Sequence, residues 1–425
     1  MHKVAGNRAK KEAITDETNP QGPKKGKAGK WSKKPRVERV MIIAGAAVGA
    51  CLVGSILGFL FISGHYDHWG TAVSRFSSGY WFSPSATVAD GLVYVGSCDN
   101  NLYALDAKTG EEKWRFETGD WVLSVPAVVN GTVYFGSLDG NLYALNARTG
   151  REQWRFRTGQ PVFSSPAVAE GVVYFGCDDT YLYAVDTDTG REKWRFKTKD
   201  DTDPSPTVVD GVVYFGSDDD HLYAVDVATG KEKWRFESGA NVNSSPAVAD
   251  GVVYFGSSDD SFYAVDIATG QRKWRFETGL DVDSSPTVVN GVVYLGSWDY
   301  NLYALDARTG EEKWRFKTGG IVDSSPIVVN GTVYVGSNDD YLYAVDTATG
   351  HEKWRFKTRN DVDSSPAVAD GMVYVWSWDN NFYAVDSATG QEKWKFGRGK
   401  SMESYAATTH GVAYTGSPGD DHTAQ

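Results

Sequence analysis

From about residue 82 onward the chain repeats itself every 40 residues without slippage, and this regularity limits the possible folds more than any other feature. Gly91, Gly131, Gly171, Gly211, Gly251, Gly291, Gly331, Gly371 and Gly411 hold one phase. Trp114, Trp154, Trp194, Trp234, Trp274, Trp314, Trp354 and Trp394 hold another. A unit of this length, with Trp and Gly at fixed offsets, has the size of one four-stranded propeller blade.

The unit that starts at Ser244 shows why. Pro246 to Val248 reads as a short first strand, and Asp250-Gly251 as a two-residue turn with positive φ. Val252 to Gly256 and Phe262 to Asp266 alternate as second and third strands around a Ser258-Asp259-Asp260 turn. After Ala268-Thr269-Gly270, Lys273 to Phe276 forms a fourth strand, with Trp274 and Phe276 on one face and Lys273 and Arg275 on the other. No segment of the unit has helical periodicity, so a helical solenoid is excluded. The expected fold is all-β, an eight-bladed propeller over 82–416 that closes on itself and leaves no long free edges. Nine copies of the G-x-x-Y-x-G segment, the eighth with Trp376 in place of its last Gly, accompany the eight Trp, the ninth at Gly411 to Gly416. Either blade one is contiguous and 404–416 is surplus, or 404–416 closes blade one and displaces 84–97. Residues 417–425 are expected to be a tail without fixed structure.

Charge divides the chain in two. Residues 1–40 hold 12 Lys and Arg against 4 Asp and Glu, whereas the other 385 residues hold 31 against 51. An acidic body of this kind excludes nucleic-acid binding through phosphates. Val40 to Ser63 is uncharged and mostly apolar, long enough at about 1.5 Å per residue to cross a bilayer core of about 30 Å. Lys33, Lys34, Arg36 and Arg39 precede it, which predicts a cytoplasmic tail over 1–39, a transmembrane helix over 40–63, a linker over 64–81 and an extracytoplasmic propeller. Val48-Gly49-Ala50-Cys51 resembles a lipoprotein cleavage box, but Leu52 to Ile62 stay apolar where a processed signal turns polar. Cys98 and Cys177 fall in units one and three, too far apart in a ring for a disulfide.

The segment A-x-D-x-x-T-G-x-x-x-W stands as Ala104, Asp106, Thr109, Gly110 and Trp114 in unit one. It recurs through Ala384, Asp386, Thr389, Gly390 and Trp394 in unit eight, with Asn146 the one substitution for Asp. This resembles the tryptophan-docking motif of the pyrroloquinoline quinone (PQQ) repeat family. The resemblance implies that each Trp packs on the next blade's turn. The family includes quinoprotein dehydrogenases and non-enzymatic propellers, among them a lipoprotein of the outer-membrane barrel assembly machinery. The dehydrogenases bind Ca²⁺ and seat PQQ beneath two adjacent, disulfide-linked cysteines, and this sequence has no Cys-Cys pair. Near-uniform units also argue against an active site, which needs different residues in different roles. The expected function is therefore a scaffold for a protein or glycan partner, with a quinone- or Ca²⁺-binding redox protein, or a cell-surface sensor or adhesin, as the alternatives.

Departures from the repeat mark the candidate site residues. Ahead of the first-strand Pro stand Asp203, Asn243, Asp283, Asp323, Asp363 and Glu403, where units one to three carry no acid and place Leu123 and Phe163 in two of these positions. Asp203, Asp283, Asp323 and Asp363 are candidates for a cation site at the mouth of the channel; the plainer expectation is that each caps its own Ser-Ser turn. Trp121, Phe163, Trp298, Trp376 and Trp378 replace small or polar residues and are candidates for partner binding. If units one and eight are neighbours, Trp121, Trp376 and Trp378 come together. Sequons occur at Asn130, Asn243 and Asn330.

Overall fold

The computed structural model describes residues 85–397. The tail, the apolar segment 40–63, the linker and the ninth segment 404–416 lie outside them. Among the described residues no helix is long and apolar enough to cross a membrane.

Among the described residues thirty-two strands form eight four-stranded antiparallel sheets, each built from consecutive strands of one 40-residue unit. Blade five is typical: Ala247–Ala249, Val252–Ser257, Ser261–Asp266 and Arg272–Glu277. Asp250 and Gly251 join the first two strands at φ values of 48° and 75°. This is the left-handed region that a two-residue hairpin with the right twist demands. Blade one is contiguous, its first strand Ala86–Ala89 pairing with Leu92–Gly96.

The blades close into a ring. First strands of neighbouring blades approach one another, so they line the centre, and the first strand of blade one meets that of blade eight. The middle two strands are buried throughout, while the fourth alternates between exposed and half-buried residues. The core lies between blades: Tyr254, Phe262, Ala264 and Trp274 of blade five pack on Val293, Leu295, Tyr303 and Leu305 of blade six. Simple alternation is broken once per blade. Ala264 faces Trp274 but Val265 faces Arg272, so Lys273 is an extra residue in the outer strand, and the same shift occurs in all eight blades. A bulge of this kind sharpens the local twist.

The docking expectation holds at all eight Trp. Each indole N–H donates to a carbonyl of the next blade, from Trp114 to Ala147 (3.0 Å) around to Trp394, which reaches Ala107 and closes the ring at 3.2 Å. The motif Gly makes room for the ring. A Cβ on Gly270, itself at φ 69°, would lie 2.8 Å from the Trp234 indole. The motif Asp holds the turn that presents this Gly: Asp106 accepts from the Thr109 amide at 3.0 Å and from its hydroxyl at 3.0 Å. Asn146 does the same for Thr149, which explains why the substitution is tolerated.

Candidate functional site: the channel face

The loops entering the first strand and those between the second and third strands meet on one face. In blades two to eight the first residue of the second loop donates its amide to the entering loop, as Trp298 does to Asp281 (3.0 Å). The next residue of that loop is Asp in every unit, and each of these accepts the hydroxyl of the Tyr four residues on, at 2.5–2.7 Å. These aspartates are therefore structural, and burial beside them pushes the tyrosines up.

Deeper in the channel runs a hydrogen-bonded ring that the sequence reading did not single out. The hydroxyl of Ser285 accepts from the backbone amide of Ser245, that of Ser325 from Ser285, and so on through Ser365 to Ser85. Ser165, Ser205 and Ser245 continue it, and Val125 is the one place in the phase without a hydroxyl. The signal was available: Ser recurs at this phase in every unit but the second.

Above the Ser ring the repeat breaks into three sectors. Blades one to three are apolar, with Cys98, Leu123 and Phe163 buried together against half-buried Trp121 and Leu138. Cys98 and Cys177 are free thiols, and burial pushes Cys98 up to about 12.

Blades three to six are acidic. Burial pushes Asp178, which lies beside Asp203, up to about 6. Asn243 donates to Ser258 at 3.0 Å and to Asp283 at 3.4 Å, and Ser258 donates to the same Asp283 oxygen at 3.1 Å. Asp283 thus reaches across a blade boundary, with Ser258 on blade five and Asn243 on its entering loop both donating to its Oδ1. Burial, then the neighbouring negative charges, pushes Asp218 up to about 8 and Asp201 up to about 7. The same causes raise Asp283 well above the usual carboxylate range. Both oxygens of Asp218, Oδ1 of Asn243 and Oδ2 of Asp283 are buried without a hydrogen-bond partner among the described residues.

Blades six to eight pair aromatics with acids. Trp298 Nε1 donates to Asp323 at 3.4 Å and Trp378 Nε1 donates to Asp363. Burial raises both carboxyls, joined at Asp363 by the Asp323 charge, and the indole hydrogen bond to each pulls the other way. The candidate acids Asp203, Asp283, Asp323 and Asp363 are therefore spread over different partners. Among the described residues no three His, Cys, Asp or Glu side chains gather at metal-ligand spacing.

The aromatic candidates separate too. Trp376 is only 9% exposed and packs with Ala86, Val93, Val95 and Phe382 in the core between blades eight and one. In other blades a Gly stands here because a Cβ would strike the next entering loop, as at Gly336, where it would lie 2.2 Å from the Val362 carbonyl. Blades one and eight are neighbours; Trp121 lies against Cys98, Leu123 and Phe163, whereas Trp376 fills the core between blades eight and one. Phe163 is buried; Trp121, Trp298 and Trp378 remain half-open. Asn243 is 1% exposed, so its sequon is inaccessible in the folded ring. The sequence reading missed Leu280 and Tyr300, the exposed large hydrophobics of this face.

The sequence matches the family model described as outer membrane protein assembly factor BamB, over residues 65–198, 178–316 and 298–419. The chain belongs to the BamB family. Solved structures share its fold at low identity. BamB from Moraxella catarrhalis is 18% identical, with a TM-score of 0.62 over 69% of this chain and 93% of that one. The computationally designed Ika8 protein is 17% identical, with a TM-score of 0.64 over 76% and 98%. A europium-containing methanol dehydrogenase is 17% identical, with a TM-score of 0.62 over 73% and 84%. No curated protein matches the chain. The BamB-family ring of this chain thus has a uniform frame, and its channel face carries the aromatic and buried acidic departures from the repeat.

Proposed function

We propose that this chain is a membrane-anchored, extracytoplasmic scaffold whose channel face binds a protein partner and performs no chemistry of its own. The observation that carries the proposal is the gathering of the aromatic and buried acidic departures from the repeat on that one face, in a chain of the BamB family. An assembly factor acts on other proteins, and a rigid ring with a varied face suits that role. Burial of Phe163 and Trp376 weakens a glycan platform and favours a protein. The apolar run 40–63 with its basic flank supports an anchor that leaves the propeller outside.

The dehydrogenase likeness supports a second reading, a PQQ- and Ca²⁺-dependent redox protein, with Asp203, Asp283, Asp323 and Asp363 as candidate ligands. One experiment separates the two. The purified full chain in detergent is titrated with Ca²⁺ and then PQQ, and assayed for dye-linked oxidation of alcohols and sugars. The scaffold reading expects no saturable quinone binding and no dye reduction. Either signal would replace it with the redox reading.

A further inference from the structure

Away from the channel face, two stretches of the outer wall break the charge pattern of the repeat. The outermost strand of each blade turns its Trp and Phe to the next blade and its cations to solvent, as Trp194 and Phe196 do opposite Arg195 and Lys197. The last residue of that strand is Glu in blades one, four and five. In blade five this Glu277 meets Arg275 at 3.5 Å, so the frame neutralises its own arginine. Blades three and seven end on Lys197 and Lys357 instead. Two further departures accompany them. Lys199 and Arg359 stand where every other unit has Gly, and Tyr181 and Tyr341 stand where the other blades have Asn, His or Ser. The three departures occur together in these two blades and together in no other.

The structure joins them. Tyr181 lies directly across from Lys197 on the neighbouring strand. The Lys197 ammonium and the Arg195 guanidinium sit 5.5 and 4.9 Å from the centre of its ring. In blade seven Lys357 and Arg355 sit 5.3 and 5.0 Å from the centre of the Tyr341 ring. Arg195 and Arg355 keep loose ion pairs with Glu192 and Glu352, each at 3.7 Å. Among the described residues Lys197, Lys199, Lys357 and Arg359 form no ion pair, and all four are exposed.

Each Tyr thus holds two cations side by side, with a third two residues on, and like charges so placed repel until an anion lies against them. Alternate residues of a strand are about 6.8 Å apart, as are alternate residues of an extended peptide. A bilayer surface touches one wall at a time, whereas blades three and seven are four apart in a ring of eight and face opposite ways. The acidic body repels a long polyphosphate chain more than a short run of carboxylates.

We propose that each of these two walls docks an extended acidic segment of a protein partner. Carboxylates at alternate positions meet Arg195, Lys197 and Lys199 on blade three, or Arg355, Lys357 and Arg359 on blade seven. The ring so offers two equivalent sites, and the tyrosines hold the cations in place without touching the ligand. This extends the scaffold reading to the wall and rests on it.

The test uses the full chain in detergent and the peptide Gly-Glu-Ser-Glu-Ser-Glu-amide, labelled with rhodamine at its N-terminus and read by fluorescence anisotropy at low ionic strength. Carbodiimide coupling then joins peptide carboxylates to lysine amines, and mass mapping locates the links. The expected result is saturable binding that weakens as salt rises, with coupling at Lys197, Lys199 and Lys357. Lys197→Glu/Lys357→Glu should weaken binding about fivefold, as the reversal of one exposed ion pair at each site would. Lys197→Glu alone serves as its own folding control, since coupling at Lys357 should persist. Lys233→Glu/Lys273→Glu makes the same change of charge on blades four and five and should bind as the unmodified chain does. An equal loss in that control overturns the sites. So does equally tight binding of the contiguous peptide Gly-Ser-Ser-Glu-Glu-Glu-amide, or displacement by inorganic phosphate at the peptide's own concentration, which marks a plain anion site. Failure here with no quinone-dependent oxidation removes these walls and leaves the scaffold reading on the channel face, whereas oxidation removes the scaffold reading itself.

Discussion

Asp218 holds its carboxyl where charge is disfavoured, and burial and the negative charges of Asp201 and Asp200 push it up to about 8. In the folded ring it therefore keeps a proton over a pH range in which the unfolded chain, at a carboxylate value of about 3.9, has lost it. Its contribution to stability is full below that unfolded value and fades as pH rises through about 8. Asp201, raised to about 7, acts in the same direction. The melting temperature should accordingly fall between pH 6 and pH 9, and Asp218→Asn should flatten the decline while raising stability at the alkaline end. Scanning calorimetry across that range checks this; a flat profile for the unmodified chain would contradict it. The acidic phase at Asp203, Asp283, Asp323 and Asp363 was visible in the sequence, but its partners were not. Asp283 meets Ser258 and Asn243, which are 25 and 40 positions away, and only the curvature of the ring decides which loops touch. The same holds for Trp298 with Asp323. Leu280 is a departure visible in the sequence, since its phase otherwise holds Asp120, Gln160, Asp200, Ala240, Gly320 and Asn360, but nothing in the sequence shows that its side chain stays exposed.

At the scale of the blade, legibility was far higher, because hairpins are specified locally. Asp250-Gly251 dictates its own turn, and strand bounds in blade five differ from expectation by one residue at most ends. The bulge at Lys273 escaped notice since nothing in K-W-R-F marks the extra residue before the register is known. The contacts between blades yield two predictions. Gly270→Ala combines a positive φ with a Cβ pressed against the Trp234 ring, and should cost about 2–4 kcal/mol. Ser285→Val tests the inner ring of hydroxyls. Blade two carries Val125 at this place, so the side chain fits, and the loss reports the acceptor taken from the buried Ser245 amide. The expected cost is about 1–3 kcal/mol, read from the denaturant midpoint at constant slope. A neutral Ser285→Val would mean that the ring is geometric and contributes no stability.

At the scale of the molecule, closure decides whether the array behaves as a ring or as a line. In a linear array the terminal units have one neighbour, and stability is a sum of nearest-neighbour terms from which the end unit can fray. Here the last Trp has the same surroundings as the interior ones. Trp394 donates to Ala107, as Trp274 does to Ala307, and its ring lies over Gly110 as that of Trp274 lies over Gly310. Tyr374 reaches Ala107 across the same junction, and the inner Ser ring passes from Ser365 to Ser85 without a gap. The blade eight to blade one interface is also filled by Trp376, which gives it more buried aromatic surface than its counterparts. Trp394→Ala and Trp274→Ala should therefore lower the denaturant midpoint by the same amount, about 2–4 kcal/mol each, with a single transition. If the ends were undocked, Trp394→Ala would be nearly silent and Trp274→Ala would split the transition. Equal losses with one transition would establish that the channel face is held by a continuous circle and not by the sum of its blades.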